Sequence, residues 1–113
     1  MEKRLKIFRR GEGEKEINPG SGAIRLLVRS SKLEGMVVEL EPRAEIPKVY
    51  SHPGEELRIV LQGEIEVEVE GERFLLREGD FMWFDSSLKH RIRNPGEQKA
   101  VYFSVNSPPS LKW

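Results

Sequence analysis

The sequence predicts an all-β fold, a small sandwich or barrel of short strands. Apolar and polar residues alternate along several short segments, which is the pattern of strands with one buried face. Turn residues separate these segments at roughly 8–12-residue spacing, as in sandwiches and barrels. The 113 residues contain no amphipathic helix of useful length. A barrel is favoured over an open sandwich, because closing the sheet removes its exposed edges.

The first half of the chain holds three predicted strands. AIRLLV at 23–28 and GMVVELE at 35–41 are rich in the aliphatic residues that strands bury. The stretch YSHPGEELRIVLQGE, residues 50–64, has a tight Pro-Gly turn and then a strand that ends at a glycine. Residues 1–20 are basic at their start and are predicted to form an N-terminal arm, in which LKIF at 5–8 could add an edge strand.

The most regular alternation lies in GEIEVEVEGERFLL, residues 63–76. Ile65, Val67 and Val69 share one face, and four glutamates share the other. The run breaks at Glu70-Gly71, so we expect a tight hairpin there. The glutamate face is predicted to be solvated, with basic side chains of neighbouring strands within pairing distance.

Three short strands follow this hairpin. They are predicted at residues 81–84, 90–94 and 99–105. SPPS at 107–110 then ends regular structure, because proline has no N–H to donate to a ladder. We therefore predict one domain, a barrel over residues 21–107, followed by a C-terminal tail over residues 108–113.

Composition restricts the classes of function. Charged residues make up 34% of the chain and balance to a formal net charge of +0, whereas nucleic-acid binders have a basic excess. There is no cysteine, which excludes disulfides and thiolate chemistry. The start MEKRLKIFRR lacks the apolar run of a signal peptide, and no segment approaches the ~18 apolar residues of a membrane span. We expect a cytoplasmic protein that binds neither nucleic acid nor membrane.

Three residues could bind a metal together. His52 and Glu56 flank the Pro-Gly turn, and His90 begins a later strand. The chain has only these two histidines, and both fall in the pattern. Two imidazoles and one carboxylate suit Fe(II), Mn, Ni, Co or Zn. The alternative is a surface histidine beside a turn and a solvated glutamate, and the residues alone leave both interpretations open.

Two segments of the chain resemble the two short motifs of the cupin family, which are small β-barrels. The first family motif is a glycine, His-x-His, a glutamate and a second glycine. His52, Glu56 and Gly63 match it, with Ala44 and Tyr50 in place of the first glycine and the first histidine. The second family motif contains Gly, Pro-x-Gly, His and Asn. Gly79, His90 and Asn94 match it at the family spacing, with Asp85 and Ser87 in place of the proline and the second glycine.

The resemblance covers about residues 35–107 and implies a small cupin barrel, the double-stranded β-helix or jelly roll. It also implies four metal ligands, of which this chain keeps His52, Glu56 and His90 and replaces the other with Tyr50. Tyrosine is a poor ligand at neutral pH, because its pKa is about 10. The remaining two histidines and one carboxylate match the facial set of non-haem iron enzymes. Fosfomycin-epoxidase-like cupins have a similar His-Pro-Gly-x-Glu segment.

Arg58 follows Glu56 by one strand repeat, so both side chains should point into the barrel. Arg58 could pair with Glu56 and satisfy it without a metal, could bind an anionic ligand above the metal, or could extend to the barrel mouth. Tyr50 could orient the ligand, or it could be a packing residue. By the same alternation Phe81 and Trp83 face outward, and we expect them to form part of a homodimer interface unless the N-terminal arm covers them.

Among cupins the chain looks most like the C-terminal sensory cupin of helix-turn-helix transcription regulators. The residues before the first clear strand are too few for a DNA-binding domain, so the resemblance implies a stand-alone barrel that binds a small, anionic molecule. The alternative is a metal-dependent enzyme, a dioxygenase, isomerase or epimerase, with His52, Glu56 and His90 as ligands. A third interpretation is a storage-like or purely structural barrel.

Overall fold

The computed structural model describes residues 5–18 and 22–110. These residues form no helix, so they contain none that could span a membrane. The chain folds into nine strands: β1 Lys15–Ile17, β2 Gly22–Arg29, β3 Glu34–Leu40, β4 Glu55–Gln62, β5 Glu64–Val69, β6 Glu72–Arg77, β7 Phe81–Asp85, β8 His90–Arg93 and β9 Ala100–Ser107.

The strands form two antiparallel sheets with a jelly-roll arrangement. One sheet has six strands in the order β1-β2-β3-β9-β4-β7, and the other has three in the order β6-β5-β8. Isolated bridges from Glu45 to Arg93 and from Tyr50 to His90 join β8 to the segment before β4. The predicted all-β class is therefore confirmed. A fully closed barrel would need a continuous hydrogen-bonded ladder, and here the ladder is interrupted between the two sheets.

The predicted strands are present with small changes at their ends. Glu70 and Gly71 both have positive φ, 50° and 81°, as a two-residue hairpin turn requires. The edge strand expected at 5–8 does not form, and Lys15–Ile17 pairs with β2 at this edge instead. Parts of the predicted arm and tail, residues 1–4, 19–20 and 111–113, lie outside the described residues.

Most of the barrel interior is apolar, and the buried polar side chains of β4 and β9 collect towards one end of it. The buried apolar residues are Leu26, Met36, Val38, Leu40, Val60, Ile65, Val67, Val69, Ile92, Ala100 and Tyr102. Along the inner face of β4, Val60 is followed towards the strand's start by Arg58 and Glu56. Val60 pairs with Tyr102, Arg58 with Ser104 and Glu56 with Asn106, so the antiparallel register brings the polar residues of both strands to the same end.

The glutamate face of β5 is paired with arginines. Arg93 donates two hydrogen bonds to Glu66, at 2.8 and 3.1 Å, and Arg91 lies 2.8 Å from Glu68. The Glu66 and Glu68 side chains are only 17% and 21% exposed, so the arginines partly cover the middle of the face that was expected to be solvated. The hydrogen bond from Arg93 outweighs partial burial and lowers the pKa of Glu66.

Candidate metal and ligand site

The structure brings together His52, Glu56 and His90. His52 lies in the turn before β4, where its N–H donates to the carbonyl of Ser86 at 2.9 Å. Glu56 is on β4, and His90 begins β8, where it exchanges backbone hydrogen bonds with Tyr50. The Nε2 atoms of His52 and His90 lie 4.0 and 3.9 Å from Oε1 of Glu56. The pattern seen in the sequence is therefore a real cluster in space.

His90 is held as a neutral imidazole with one free nitrogen. Its Nδ1 lies 2.7 Å from the carbonyl oxygen of Leu88, which can only accept, so Nδ1 carries the proton. Nε2 then has its lone pair available on the side of Glu56. The side chain is 3% exposed and its ring packs edge-on against Phe84. Burial lowers the pKa of His90, which keeps the ring uncharged and able to bind a metal at neutral pH.

The two carboxylate oxygens of Glu56 have different partners. Oε2 accepts hydrogen bonds from Nε of Arg58 and from the hydroxyl of Ser104, the latter at 2.9 Å. Oε1 is the oxygen nearest both histidines. The charge-assisted pair with Arg58 therefore leaves the oxygen that faces the imidazoles free to bind a metal.

Arg58 is buried, with 6% of its surface exposed, and it does not extend to solvent. The interpretation that it reaches the barrel mouth is wrong. Its guanidinium lies 5.2 Å from the ring centres of both Phe84 and Tyr102. Burial by itself disfavours the charged form, but the Glu56 carboxylate offsets this, and the pKa of Arg58 is raised on balance. Nη1 of Arg58 is buried and has no hydrogen-bond partner among the residues that the structure describes.

A cavity of about 100 Å³ adjoins this cluster. Its apolar lining residues are Ile24, Met36, Val38, Ile46 and Ile92. Its polar lining includes the three candidate ligands, Tyr50, Arg58, Tyr102, Ser104, Asn106 and Ser110. A wider groove of about 200 Å³ lies over the Glu66 and Glu68 face, but the arginines there already neutralise its carboxylates.

Tyr50 lies at the edge of the cavity and remains 36% exposed. Its ring stacks on that of His90, with 6.3 Å between the ring centres. The Lys48 ammonium lies 5.0 Å from the centre of the Tyr50 ring. The residue that replaces the family histidine therefore lies beside the cluster, where it can contact a ligand in the cavity.

The donor set fits a divalent transition metal. The three ligand atoms lie within 4.8 Å of one another. Metal–nitrogen bonds of ~2.1 Å place neighbouring ligands roughly 3.0–3.4 Å apart, so side-chain shifts of about an ångström would suffice. Nδ1 of His52 is buried and has no hydrogen-bond partner in the described ranges, and Nε2 is the nitrogen that faces Glu56.

Two site residues on β9, Ser104 and Asn106, were not predicted from the sequence. Val101, Phe103 and Val105 form the apolar face of this strand, and alternation alone favours that face as the buried one. In the structure it is only half-buried, and the polar face points into the barrel. Only the pairing with β4 reveals that these polar side chains meet Glu56 and Arg58.

Phe81 and Trp83 lie on the outer face of β7, as alternation predicted, and are 65% and 62% exposed. Phe84 faces inward and is 4% exposed. Residues 5–18 of the arm leave the two outward aromatic side chains uncovered. The role of this surface in dimer formation stays a prediction.

Comparisons with known proteins agree with this architecture. The family model described as Cupin domain matches residues 36–106. A protein of Streptomyces cyaneus called polyketide synthase CurC is 30% identical over 107 residues, which cover 87% of this chain and 69% of that protein. An uncharacterized protein of Archaeoglobus fulgidus is 37% identical over 62 residues, 55% of this chain and only 58% of that protein.

Solved structures show the same fold. An RmlC-like cupin from Shewanella frigidimarina superposes with a TM-score of 0.77 at 22% identity, covering 93% of both chains. The cupin domain of an XRE-family transcriptional regulator from Enterobacter cloacae gives a TM-score of 0.69 at 22% identity, covering 77% of this chain and 96% of that one. At these identities the likeness concerns the fold alone. Together with the family match, it shows that the chain belongs to the cupin family.

Proposed function

We propose that this cupin binds a small anionic molecule in its barrel, beside one divalent transition metal held by His52, Glu56 and His90. The observation that carries the proposal is that the two carboxylate oxygens of Glu56 have different partners. Oε2 is occupied by Arg58 and Ser104, while Oε1 and the two imidazoles face one another. Two neutral histidines and a carboxylate suit Fe, Mn, Ni, Co or Zn.

Charge supports an anionic ligand. The buried Arg58 cation offsets the Glu56 carboxylate, so a divalent ion on neutral histidines would leave excess positive charge in a low-dielectric cavity. Buried charge of this kind is costly unless a counter-charge neutralises it. Nη1 of Arg58 is a buried donor to which no described residue offers an acceptor, and a guanidinium suits carboxylate or phosphate oxygens. Tyr50 lies at the cavity edge, where it can orient the bound molecule.

The size of the cavity restricts the ligand. At about 100 Å³ it is smaller than the ~150 Å³ engineered cavity that accepts benzene. The part of the ligand inside the barrel therefore has only a few non-hydrogen atoms, and anything larger extends past Tyr50 towards solvent. When bound, the metal would supply a Lewis acid that polarises a ligand oxygen. Arg58 would bind the anionic group and hold its orientation.

Elemental analysis tests the metal site directly. Protein purified without chelator is expected to carry about one transition-metal ion per chain, and His52→Ala should lose it. Tyr50→Phe is the matched control, because it changes the neighbouring aromatic residue but keeps all three ligands. Failure of the wild-type protein to bind Zn, Ni, Co, Mn or Fe(II) in equilibrium dialysis would refute the metal site.

A metal-dependent enzyme is the second candidate. The Streptomyces relative named polyketide synthase CurC supports a biosynthetic role, and two histidines with one carboxylate leave coordination positions open. If the protein is a dioxygenase, its Fe(II)-loaded form would consume oxygen once the anionic ligand is bound. An isomerase or epimerase would incorporate solvent deuterium at a carbon of that anion, visible by NMR. Binding without either signal supports a ligand-binding barrel.

We further propose that the chain forms a homodimer through the outer face of the six-stranded sheet. Leu57 pairs with Trp83 and Ile59 with Phe81, and Phe103 adjoins Ile59 on the next strand. The result is an apolar surface across three strands, and exposed surfaces of this kind mark interaction sites. The formal net charge of +0 gives no long-range repulsion between two copies.

Light scattering tests this interface. The wild-type chain is expected to be dimeric at micromolar concentration, and Trp83→Glu should be monomeric. Leu75→Glu is the control, because Leu75 is 45% exposed but lies on the other sheet. A monomeric wild type, or a dimer that persists in Trp83→Glu, would contradict the proposal.

A further inference from the structure

Asn106 lines the cavity, and its side-chain oxygen is a buried acceptor without a hydrogen-bond partner among the described residues. The side chain lies on β9, lines the cavity and is 4% exposed. Its Nδ2 donates to Oε1 of the buried Glu34 at 3.3 Å, and the N–H and hydroxyl of Ser110 also donate to that oxygen, each at 2.9 Å. Because a carboxylate oxygen only accepts here, the amide nitrogen must face Glu34. Oδ1 of Asn106 is then the amide atom turned away from Glu34, and it is buried without a partner in the described part of the chain.

Arg58 supplies a complementary unused donor nearby. In the register of β4 and β9, Arg58 is opposite Ser104 and Glu56 is opposite Asn106. Arg58 and Asn106 are therefore diagonal neighbours on the inner face, and their Cα atoms are roughly 7–8 Å apart. Within residues 5–18 and 22–110, Nη1 of Arg58 and Oδ1 of Asn106 are both buried and have no hydrogen-bond partner. Leaving buried polar groups unpaired costs stability, so a ligand that satisfies both gains affinity from each.

We propose that these two groups form a recognition pair for a short hydroxycarboxylate. The ligand's carboxylate accepts from Nη1 of Arg58, and its hydroxyl donates to Oδ1 of Asn106. This deepens the proposed function by naming the class of anion, and it assigns Asn106 as a specificity-determining residue. The cavity of about 100 Å³ restricts the enclosed part of the ligand to about the size of a three-carbon acid.

Calorimetry with three matched probes tests the pair. Lactate, propionate and pyruvate share a three-carbon carboxylate and differ only at the second carbon. Lactate is expected to bind about 5–10-fold more tightly than propionate, the usual effect of one neutral hydrogen bond. Pyruvate should bind no better than propionate in metal-free protein, because its carbonyl oxygen cannot donate to Asn106. Asn106→Ala should remove the preference for lactate and keep propionate binding.

Metal chelation is separated from hydrogen bonding by titrating both chelator-treated and zinc-loaded protein. A bound metal would favour lactate by chelation even in Asn106→Ala, whereas the preference due to Oδ1 disappears in that variant. If the wild type fails to bind metal but metal-free protein still shows the Asn106-dependent preference, the metal site is refuted and the recognition pair stands. If metal binds at the three ligands but lactate and propionate bind equally, the recognition pair is refuted alone.

A measurement on the wild-type chain guards against misfolding of Asn106→Ala, which also loses the bond to Glu34. In a ¹⁵N spectrum, lactate should shift the side-chain amide signal of Asn106, and propionate should leave it nearly unchanged. Equal shifts with both probes, or no binding of any probe up to high millimolar concentration, would overturn the inference.

Discussion

Replacing Arg58 with methionine is the sharpest test of the site. Arg58→Met keeps a long side chain between Phe84 and Tyr102 but removes the cation that pairs with Oε2 of Glu56. The Glu56 carboxylate is 4% exposed, and of the two donors to Oε2 in the described part of the chain it would keep only the Ser104 hydroxyl. Breaking a buried ion pair by removing one partner costs about 3–5 kcal/mol. In chelator-treated protein the variant should therefore unfold roughly 10–25 °C lower than the wild type.

A bound metal should change this result. The ion would neutralise Glu56 in place of Arg58, and it would no longer be repelled by the guanidinium. In saturating zinc, Arg58→Met should lower the melting temperature by less than half as much as it does in chelator-treated protein. By linkage, the variant should bind zinc more tightly than the wild type. Calorimetric melting with and without zinc measures both effects.

The matched control is Arg77→Met, which removes an arginine that is 74% exposed and 4.0 Å from Glu64. Exposed pairs contribute little, so its melting temperature should change by only a few degrees in either condition. If Arg58→Met lowers the melting temperature equally with and without zinc, then no metal compensates Glu56. If Arg58→Met lowers the free energy of unfolding by less than about 1 kcal/mol without metal, the pair of Arg58 and Glu56 contributes little to stability.

Three further predictions concern the barrel. Ile65→Ala should lower the free energy of unfolding by about 2–5 kcal/mol in urea titrations, since Ile65 is fully buried in the core. Gly54→Ala should lower it by roughly 1–3 kcal/mol or more, because φ at Gly54 is +115° and an added Cβ would lie 2.3 Å from the carbonyl oxygen of Ser107. Arg93 holds the pKa of Glu66 below its usual value of about 4.3, so this stabilisation is present at pH values above the usual pKa and is lost as the pH falls through the lowered one. Arg93→Gln should therefore flatten the acid limb of a stability–pH curve.

Much of the fold was predictable because strand alternation is a local property. The segment around Ile65, Val67 and Val69 shows this: period-two alternation placed the three side chains inside, and all three are buried. The spacing of the cupin motifs likewise identified His52, Glu56 and His90, which the structure brings within ligand distance of one another. These predictions needed only residue types and their order.

Strand β9 shows where local patterns fail. Its apolar residues at 101, 103 and 105 point outward, and its inner face carries Ser104 and Asn106. The preference for a buried apolar face was overridden, because the outer face of the large sheet is itself apolar around Phe103 and the inner face meets the polar residues of β4. No alternation pattern within β9 itself contains that information.

By itself the sequence determined the strands, the cupin motifs and the three side chains that are chemically able to share a metal. Only the tertiary structure decided how Glu56 divides its oxygens between Arg58, Ser104 and the two histidines. Ser104 lies 48 residues from Glu56, and it becomes a neighbour only through the register of β4 and β9. Partner choice inside the barrel depends on long-range strand pairing, and this is set by the packing of the whole domain rather than by any local segment.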